Sequence, residues 1–182
     1  MGAGGWDGSF ADAAGQEKRI AYSLFGIVQP LEIVLLIAIY GEIELNSIKR
    51  LQFNEIQNCF SFWDFKDNLE KWKKLESEII RNERWMYAYI LNEEYVAGMS
   101  LAPLQNNAVY LSYLVVKEGY RNQGIGTQMI QYAFGISRNS GYSHITLNVD
   151  HNNPSAERLY EKLGFVAVET ENSGKIKMRM EI

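Results

Sequence analysis

Short runs of branched and aromatic residues, bounded by polar segments, fill the second half of the chain. This pattern predicts β-strands, because such residues pack well on a pleated surface and turn residues end the runs. The predicted strands cover 85–91, 95–101, 110–116, 144–150, 165–169 and 176–182. The 110–116 run consists mainly of aromatic and branched residues, which predicts burial on both faces. Gly98, inside a strand, predicts a bulge or close packing.

Apolar residues at spacings of three to four predict helices between and before these strands. The predicted helices cover 51–60, 64–81, a segment that opens at 121–126, and 154–163. In the second, Leu69, Trp72, Leu75 and Ile79 are expected to form the apolar face. Asn153 followed by Pro154 is a typical helix start. With a further strand beginning at 41–45, strands and helices mix within one α/β (α+β) domain.

The first 41 residues follow another pattern. Residues 1–19 are rich in small and polar residues and predict a flexible leader or a vector-derived remnant. Residues 20–41 are apolar, but their longest uninterrupted run, 33–40, is far shorter than the ~20 residues that span a bilayer. We interpret 20–41 as extra strands at the sheet edge or as an arm that docks on a second subunit of a homodimer. The domain itself is expected over 42–182.

Composition narrows the function classes. A length of 182 residues with 47% apolar content suits one core, and a net charge of -4 without a basic cluster argues against nucleic-acid binding. The lone Cys59 excludes an internal disulfide and suits a cytoplasmic location; it is either a core residue or a reactive thiol. The two histidines, His144 and His151, do not form a metal-binding pattern. We expect no membrane segment and no metal.

A glycine-containing loop links the 110–116 strand to the next helix. It reads Arg121-Asn122-Gln123-Gly124-Ile125-Gly126-Thr127. A strand that feeds a helix N-terminus through glycines is suited to binding a phosphate or pyrophosphate. No lysine precedes Thr127, which excludes a P-loop, and Met129 falls where a dinucleotide fingerprint needs glycine or alanine. A tight turn that uses glycine only for packing remains an alternative.

A second motif follows in Asn153-x-x-Ala156-x-x-Leu159-Tyr160-x-x-x-Gly164-Phe165. Together with Arg121-x-x-Gly124-x-Gly126, it resembles the GNAT superfamily of acyl-CoA-dependent N-acyltransferases. The resemblance is firm over 85–182, fair from Ile43, and absent before that. It implies a mixed, mostly antiparallel central sheet of about six to seven strands flanked by about four helices.

The resemblance also implies site residues. The cradle for the pyrophosphate of acetyl-CoA would be the loop with its backbone N–H groups: Arg121, Asn122, Gln123, Gly124, Ile125, Gly126 and Thr127. The strand end at Leu114, Val115 and Val116 would pair with the pantetheine arm and polarise the thioester carbonyl. Asn153 would contact the cofactor, cap its helix, or both. Tyr160 would lie near the sulfur, where a phenol of pKa ~10 can protonate a thiolate of pKa ~8.5.

The general base is not assigned by these residues. Some family members carry a glutamate at a position that here falls on Tyr110, and Ser112 and Tyr113 are not carboxylates either. Glu118, Asp150, His151 or a water chain remain candidates. Nothing indicates an acyl-enzyme through Cys59.

The expected activity is acetyl transfer from acetyl-CoA to a primary amine of a small molecule or a peptide, by direct attack in a ternary complex. The alternative is an acyl-CoA-binding sensor or interaction domain without turnover. The family's acceptor wall lies in the first two helices and their loop, where Phe60, Phe62, Trp63 and Phe65 would line a pocket or simply pack as core aromatics.

Overall fold

A computed structural model describes residues 46–63, 68–171 and 173–182 of the chain. The predicted leader, the apolar arm and the beginning of the first predicted strand therefore lie outside the described residues. Among the described residues, no helix is long and apolar enough to cross a bilayer.

A seven-stranded sheet forms the centre of the domain, in the order β1-β2-β3-β4-β5-β7-β6. Its strands are β1 (Asn46–Leu51), β2 (Trp85–Leu91), β3 (Glu94–Leu104), β4 (Ala108–Val116), β5 (His144–Asp150), β6 (Val166–Thr170) and β7 (Lys175–Glu181). Neighbours are antiparallel except β4 and β5, which are parallel. The predicted mixed, mostly antiparallel sheet is confirmed. This order also rules out the doubly wound parallel sheet of a dinucleotide-binding fold.

Helices cover both faces of the sheet. They are α1 (Leu69–Ile80), α2 (Ile125–Asn139) and α3 (Pro154–Lys162), with 3-10 helices at Phe53–Cys59 and Glu118–Tyr120. Alternate strand residues enter two separate cores, as the strand period of two requires. Tyr87, Met99 and Leu111 pack on the side of α2 and α3. Met86 and Ala88 pack on the side of α1 and the longer 3-10 helix.

Two predicted helices near the beginning of the domain differ from the structure. The helix predicted over 51–60 is a 3-10 helix that begins at Phe53, because Leu51 still pairs with Met86 in the sheet. The helix predicted over 64–81 is described from Leu69, with Asn68 as its cap. Leu75 is buried as predicted, but Leu69 is 66% exposed because it occupies the first helical position, away from the core.

The helix predicted to open within 121–126 begins at Ile125. Asn122 has φ 61° and Gly124 has φ 80°, so neither residue is in the right-handed helical region. The remaining elements agree with the predicted ones to within a few residues. Asn153 caps α3 through its side-chain oxygen, which accepts a hydrogen bond from the Ala156 N–H at 3.2 Å.

Gly98 makes room for an aromatic ring between the sheet and the 3-10 helix. A Cβ atom at this position would lie 2.3 Å from Cζ2 of Trp63, whose side chain is buried. The neighbouring strand positions are Ala88 on one side and Val115 on the other. A bulge and close packing are the two reasons predicted for a glycine in this strand, and close packing explains Gly98.

We predict that Gly98→Ala lowers the free energy of unfolding by about 2 kcal/mol or more, because the added methyl group overlaps a ring that cannot move away. Gly135→Ala is the matched control. It lies in α2 with nothing within 4 Å of an added Cβ, so it should stabilise by ~0.5 kcal/mol or more. Urea unfolding of both variants measures the difference. Equal effects would contradict the packing argument.

Candidate active site

The parallel strands β4 and β5 pair along only part of their length. Their paired positions are Ala108 with His144, Val109 with Ile145, and Tyr110 with Thr146. Beyond Tyr110 and Thr146, β4 continues to Val116 and β5 to Asp150, and no register is shared between them there. Facing strand edges without mutual pairing can accept an extended ligand through backbone hydrogen bonds. We call this opening the β4–β5 gap.

A bulge in β4 accompanies the gap. Ser100 pairs with Ser112, whereas Gly98 pairs with Val115, so β4 holds one extra residue between them. Tyr113, at this point, has φ 53°. The bulge turns β4 away from a straight path, as bulges do. The predicted burial of 110–116 on both faces is wrong except at Leu111, since Tyr110 and residues 112–116 are half-buried.

Trp63 holds the bulge from the side of α1. Its indole N–H donates a hydrogen bond to the Tyr113 carbonyl at 2.9 Å. Its ring lies against Gly98 of β3, the strand that pairs with β4 at the bulge. The ring contact and the hydrogen bond together fix the backbone direction at Tyr113.

Arg84 also holds the bulge, through hydrogen bonds to residues of β3 and β4. Its guanidinium donates to the hydroxyls of Ser100 at 2.9 Å and Ser112 at 3.1 Å, and to Glu78 of α1 at 2.6 Å. It also lies 5.6 Å from the centre of the Tyr113 ring. Arg84 and Glu78 are largely buried, at 15% and 17% side-chain exposure. A largely buried, hydrogen-bonded ion pair of this kind favours one arrangement of the strands it joins.

The glycine loop ends beside the gap. The Arg121 side chain donates to the Val116 carbonyl at 3.0 Å, which ties the loop to the end of β4. Gly124 is exposed, has φ 80°, and has nothing within 4 Å of an added Cβ. A Cβ on Gly126 would meet Leu159 of α3 at 3.4 Å. Close packing therefore accounts for Gly126, whereas Gly124 leaves open space in front of the helix N-terminus.

Backbone N–H groups at the beginning of α2 point into that space. The first residues of an α-helix have no carbonyl one turn earlier to bind, so their N–H groups and the positive end of the helix dipole face outward. The N-cap Gly124 provides no side-chain cap. These groups belong to Ile125, Gly126 and Thr127, with Gln123 and Asn122 in the preceding loop. The arrangement suits an anion such as a pyrophosphate.

A family model described as "Acetyltransferase (GNAT) family" matches residues 47–165. The chain belongs to the GNAT family of acetyltransferases. The match includes both sequence motifs, the β4–β5 gap, the 3-10 helix at Phe53–Cys59 and α1. It confirms the resemblance noted in the sequence.

Curated relatives of this GNAT protein are N-acetyltransferases by name. N-alpha-acetyltransferase 30 of Schizosaccharomyces pombe is 25% identical over 126 residues, which cover 69% of this chain and 80% of the relative. GCN5-related N-acetyltransferase 6, chloroplastic, of Arabidopsis thaliana is 38% identical over 65 residues, 36% of this chain and 23% of the relative. The human N-alpha-acetyltransferase 30 match covers 33% of that protein. The chain thus spans a minor part of several relatives.

Solved structures share the fold. The PaiA N-acetyltransferase of Thermoplasma acidophilum, in complex with coenzyme A, superposes with a TM-score of 0.65 at 19% identity, covering 76% of this chain and 99% of that one. The ribosomal-protein-S18-alanine N-acetyltransferase of Escherichia coli superposes with a TM-score of 0.61 at 19% identity, covering 76% and 94%. At this identity, the likeness concerns the fold.

Two motif residues of this GNAT domain belong to α3 and its N-cap. Tyr160 of α3 is buried, and its ring packs edge-on against Phe165 at 5.6 Å. Burial, with a smaller effect of the Tyr110 phenol, raises the pKa of Tyr160 to about 12. The phenol of Tyr160 is therefore protonated at neutral pH. Asn153 is exposed, and its side-chain oxygen is engaged as the α3 cap.

The base candidates named from the sequence have different surroundings. Glu118 is exposed and begins the short 3-10 helix before the loop. Asp150 is exposed and accepts the Asn152 N–H at 2.9 Å, and His151 is exposed beyond it. Tyr110 is half-buried, and burial raises the pKa of its phenol. Tyr110 is therefore neutral at physiological pH and is no base there.

Two polar groups beside the gap escaped the sequence analysis. Arg84 lies just before β2, and Glu171 follows β6. Glu171 accepts a hydrogen bond from the Asn148 side chain at 3.2 Å. Neither position belongs to a motif, so only the sheet order reveals their neighbours.

The aromatic residues proposed for an acceptor pocket act mainly in packing. Phe60 and Phe53 contact Trp72 of α1, at 5.3 Å and 4.6 Å between ring centres. Phe62 packs edge-on against Trp63 at 5.3 Å. Core packing is thus the interpretation that fits Phe60, Phe62 and Trp63, while Phe65 lies outside the described residues.

Cys59 is a core residue, and we predict that its removal leaves acetyl transfer unchanged. Burial, with a smaller effect of the Glu55 carboxylate, raises the pKa of the Cys59 thiol to about 12. Little thiolate therefore exists at neutral pH. Cys59→Ala should retain the wild-type rate and lose about 1 kcal/mol of stability. A disulfide reagent should label the unfolded chain but not the native one; rapid labelling of the native chain, or loss of transfer, would contradict this.

Proposed function

We propose that this GNAT domain is an acetyl-CoA-dependent N-acetyltransferase whose acceptor is a primary amine, with a peptide α-amine as the first choice. The observation that carries the proposal is the β4–β5 gap with its bulge, placed next to an open helix N-terminus. The name of the N-alpha-acetyltransferase 30 relatives supports a peptide α-amine. A small-molecule amine remains the second choice.

The residues present fit acetyl-CoA. An exposed left-handed glycine and outward N–H groups suit its pyrophosphate, with Arg121 beside them. Unpaired strand edges beyond Tyr110 suit its amide-containing arm, through the backbone of Leu114, Val115 and Val116. When bound, acetyl-CoA would supply an activated acetyl group as a thioester.

Protein groups would perform the remaining tasks. Backbone N–H groups at the bulge, held by Trp63 and Arg84, can polarise the thioester carbonyl without reorganisation. Tyr160, whose phenol stays protonated, can donate a proton to the leaving thiolate. Asn153 at the head of α3 adds a polar contact to the cofactor. Direct attack by the amine then needs no acyl-enzyme, consistent with the buried Cys59.

Two further proposals rest on sequence. A cytoplasmic location is proposed from cysteine usage. A homodimer that uses residues 20–41 is proposed from their apolar pattern, and deletion of 1–41 followed by light scattering tests it. An acyl-CoA-binding domain without turnover is disfavoured, since the relatives are named as N-acetyltransferases and the Tyr160 phenol stays protonated, as a proton donor must.

We predict that acetyl-CoA binds the wild type with micromolar affinity and that Gly124→Trp abolishes binding, because the indole would fill the space in front of α2. Gly141→Trp is the matched control. Gly141 lies beyond the other end of α2, has φ 83°, and also has nothing within 4 Å of an added Cβ. Both variants carry similar backbone strain, so isothermal titration isolates the position. Equal binding by all three proteins would contradict the proposed cradle.

We also predict that Tyr160→Phe lowers kcat about 100-fold with little change in KM, because a proton donor to the thiolate is lost while binding contacts remain. Thiol release from acetyl-CoA would be measured with peptides that differ in their first residue, the same peptides with a blocked N-terminus, and alkyl amines. Release with free α-amines alone supports the peptide acceptor. Absence of release from the wild type with every acceptor would overturn the proposed function.

A further inference from the structure

The β6–β7 hairpin brings a carboxylate to the β4–β5 gap, on the face of the sheet opposite to α2 and α3. Asn148 lies on β5, two residues beyond the last position paired with β4, and on the same face as Thr146. Its side-chain amide donates to Oε1 of Glu171 at 3.2 Å. This face of the sheet is opposite to α2 and α3, where Ile145, Leu147 and Val149 are buried. Glu171 is therefore beside the gap, on the side away from the glycine loop.

Hydrogen bonds hold Glu171 in place. The Ser173 hydroxyl donates to its second carboxylate oxygen at 2.8 Å. Its backbone N–H donates to the Lys175 carbonyl at 2.8 Å, and its carbonyl accepts the Gly174 N–H at 3.0 Å. A half-buried carboxylate with this support has a defined direction rather than a solvated, mobile one.

Tyr110 connects this carboxylate to the gap. The negative charge of Glu171 contributes to the raised pKa of the Tyr110 phenol, after burial itself and against the opposing effect of Arg84. The Tyr110 phenol in turn contributes, after burial, to the raised pKa of Tyr160. Glu171 is thus within electrostatic reach of the last paired residue of β4, where the gap opens.

We propose that Glu171 is the proton acceptor that converts the substrate ammonium into a nucleophilic amine. This inference rests on the proposed function. The ammonium gives one proton to the Glu171 carboxylate, directly or through one water. Its nitrogen then forms a bond to the acetyl carbon as the carbon–sulfur bond breaks. The thiolate gains a proton from the Tyr160 phenol. The nitrogen loses a second proton, which converts the Tyr160 phenolate back to the phenol. One amide, one thiol and one released proton result.

The other carboxylates near this end of the sheet are less suited. Asp150 already caps the Asn152 N–H, and Glu118 lies before the glycine loop. Glu169 is exposed and lies 3.8 Å from Lys177. The titratable groups on the neighbouring strands include Tyr110 on β4, Asp150 on β5, Glu169 on β6, and Lys175 and Lys177 on β7.

The test compares Glu171→Gln with Glu169→Gln, two neutral replacements two residues apart. Two acceptors are compared. One is the peptide that reacts fastest in the thiol-release assay, and the other is the same peptide with an aminooxyacetyl group at its N-terminus. The aminooxy nitrogen is unprotonated at neutral pH. We expect Glu171→Gln to lower kcat/KM for the peptide about 100-fold at pH 7 and to leave the aminooxy copy within about twofold. Glu169→Gln should match the wild type with both acceptors.

The pH profile gives a second readout. In Glu171→Gln, the acid-side fall of kcat/KM should lie near about pH 8, the pKa of a free α-amino group, and at higher pH than in the wild type. Glu171→Asp, which keeps a carboxylate, should recover part of the rate. Titration of acetyl-CoA should give unchanged affinity in all variants.

Separate outcomes identify which proposal fails. A wild type that releases no thiol overturns the proposed function and this inference with it. An active wild type whose Glu171→Gln variant keeps its rate and pH profile overturns only the inference. Equal losses with the peptide and the aminooxy copy would show that Glu171 has a structural role, and would also overturn it.

Discussion

The separation of β4 from β5 beyond Tyr110 and Thr146 is the constraint on which the site depends. Adjacent parallel strands gain a hydrogen bond with each further pair, so separation must be enforced. The bulge at Tyr113 enforces it, and a non-glycine residue with positive φ at such a place costs on the order of 1–3 kcal/mol. Trp63 and Arg84 offset this cost through hydrogen bonds to the Tyr113 carbonyl and the Ser112 hydroxyl. Both residues lie on the α1 face of the sheet, so the contacts that hold the gap open also build that face.

The two faces of the sheet carry different parts of the candidate site. On one face, α2 has its N-terminus and α3 carries Tyr160, and Gly126 of α2 faces Leu159 of α3. On the other face, Arg84, Tyr113, Asn148 and Glu171 surround the opening. A buried phenol whose pKa is raised to about 12 remains a donor, while a hydrogen-bonded carboxylate in a wetter place is suited to accept. In the proposed mechanism, different environments thus separate the acid, Tyr160, from the base, Glu171.

Local patterns predicted the elements that local residues determine. The strands at 85–91 and 144–150 have the predicted bounds, because turn residues end them. The glycine motif located the loop, but the beginning of α2 at Ile125 depends on the left-handed Asn122 and Gly124, which spacing does not encode. The 3-10 helix at Phe53–Cys59 was misassigned because Leu51 remains in the sheet. Arg84 and Glu171 could not be found in this way, since their partners are distant in sequence and meet only through the strand order.

The position of Glu171 explains why a carboxylate is dispensable at Tyr110. Some members of the family carry a glutamate there, on β4 itself. In this chain the phenol of Tyr110 is neutral, and Asn148 and Ser173 hold a carboxylate that arrives from the β6–β7 hairpin. Proton removal requires a base within hydrogen-bond reach of the amine, and it does not matter which strand supplies the base. A hairpin origin also places the base beside a turn, where changes of loop sequence can alter acceptor fit without disturbing the cofactor side of the sheet.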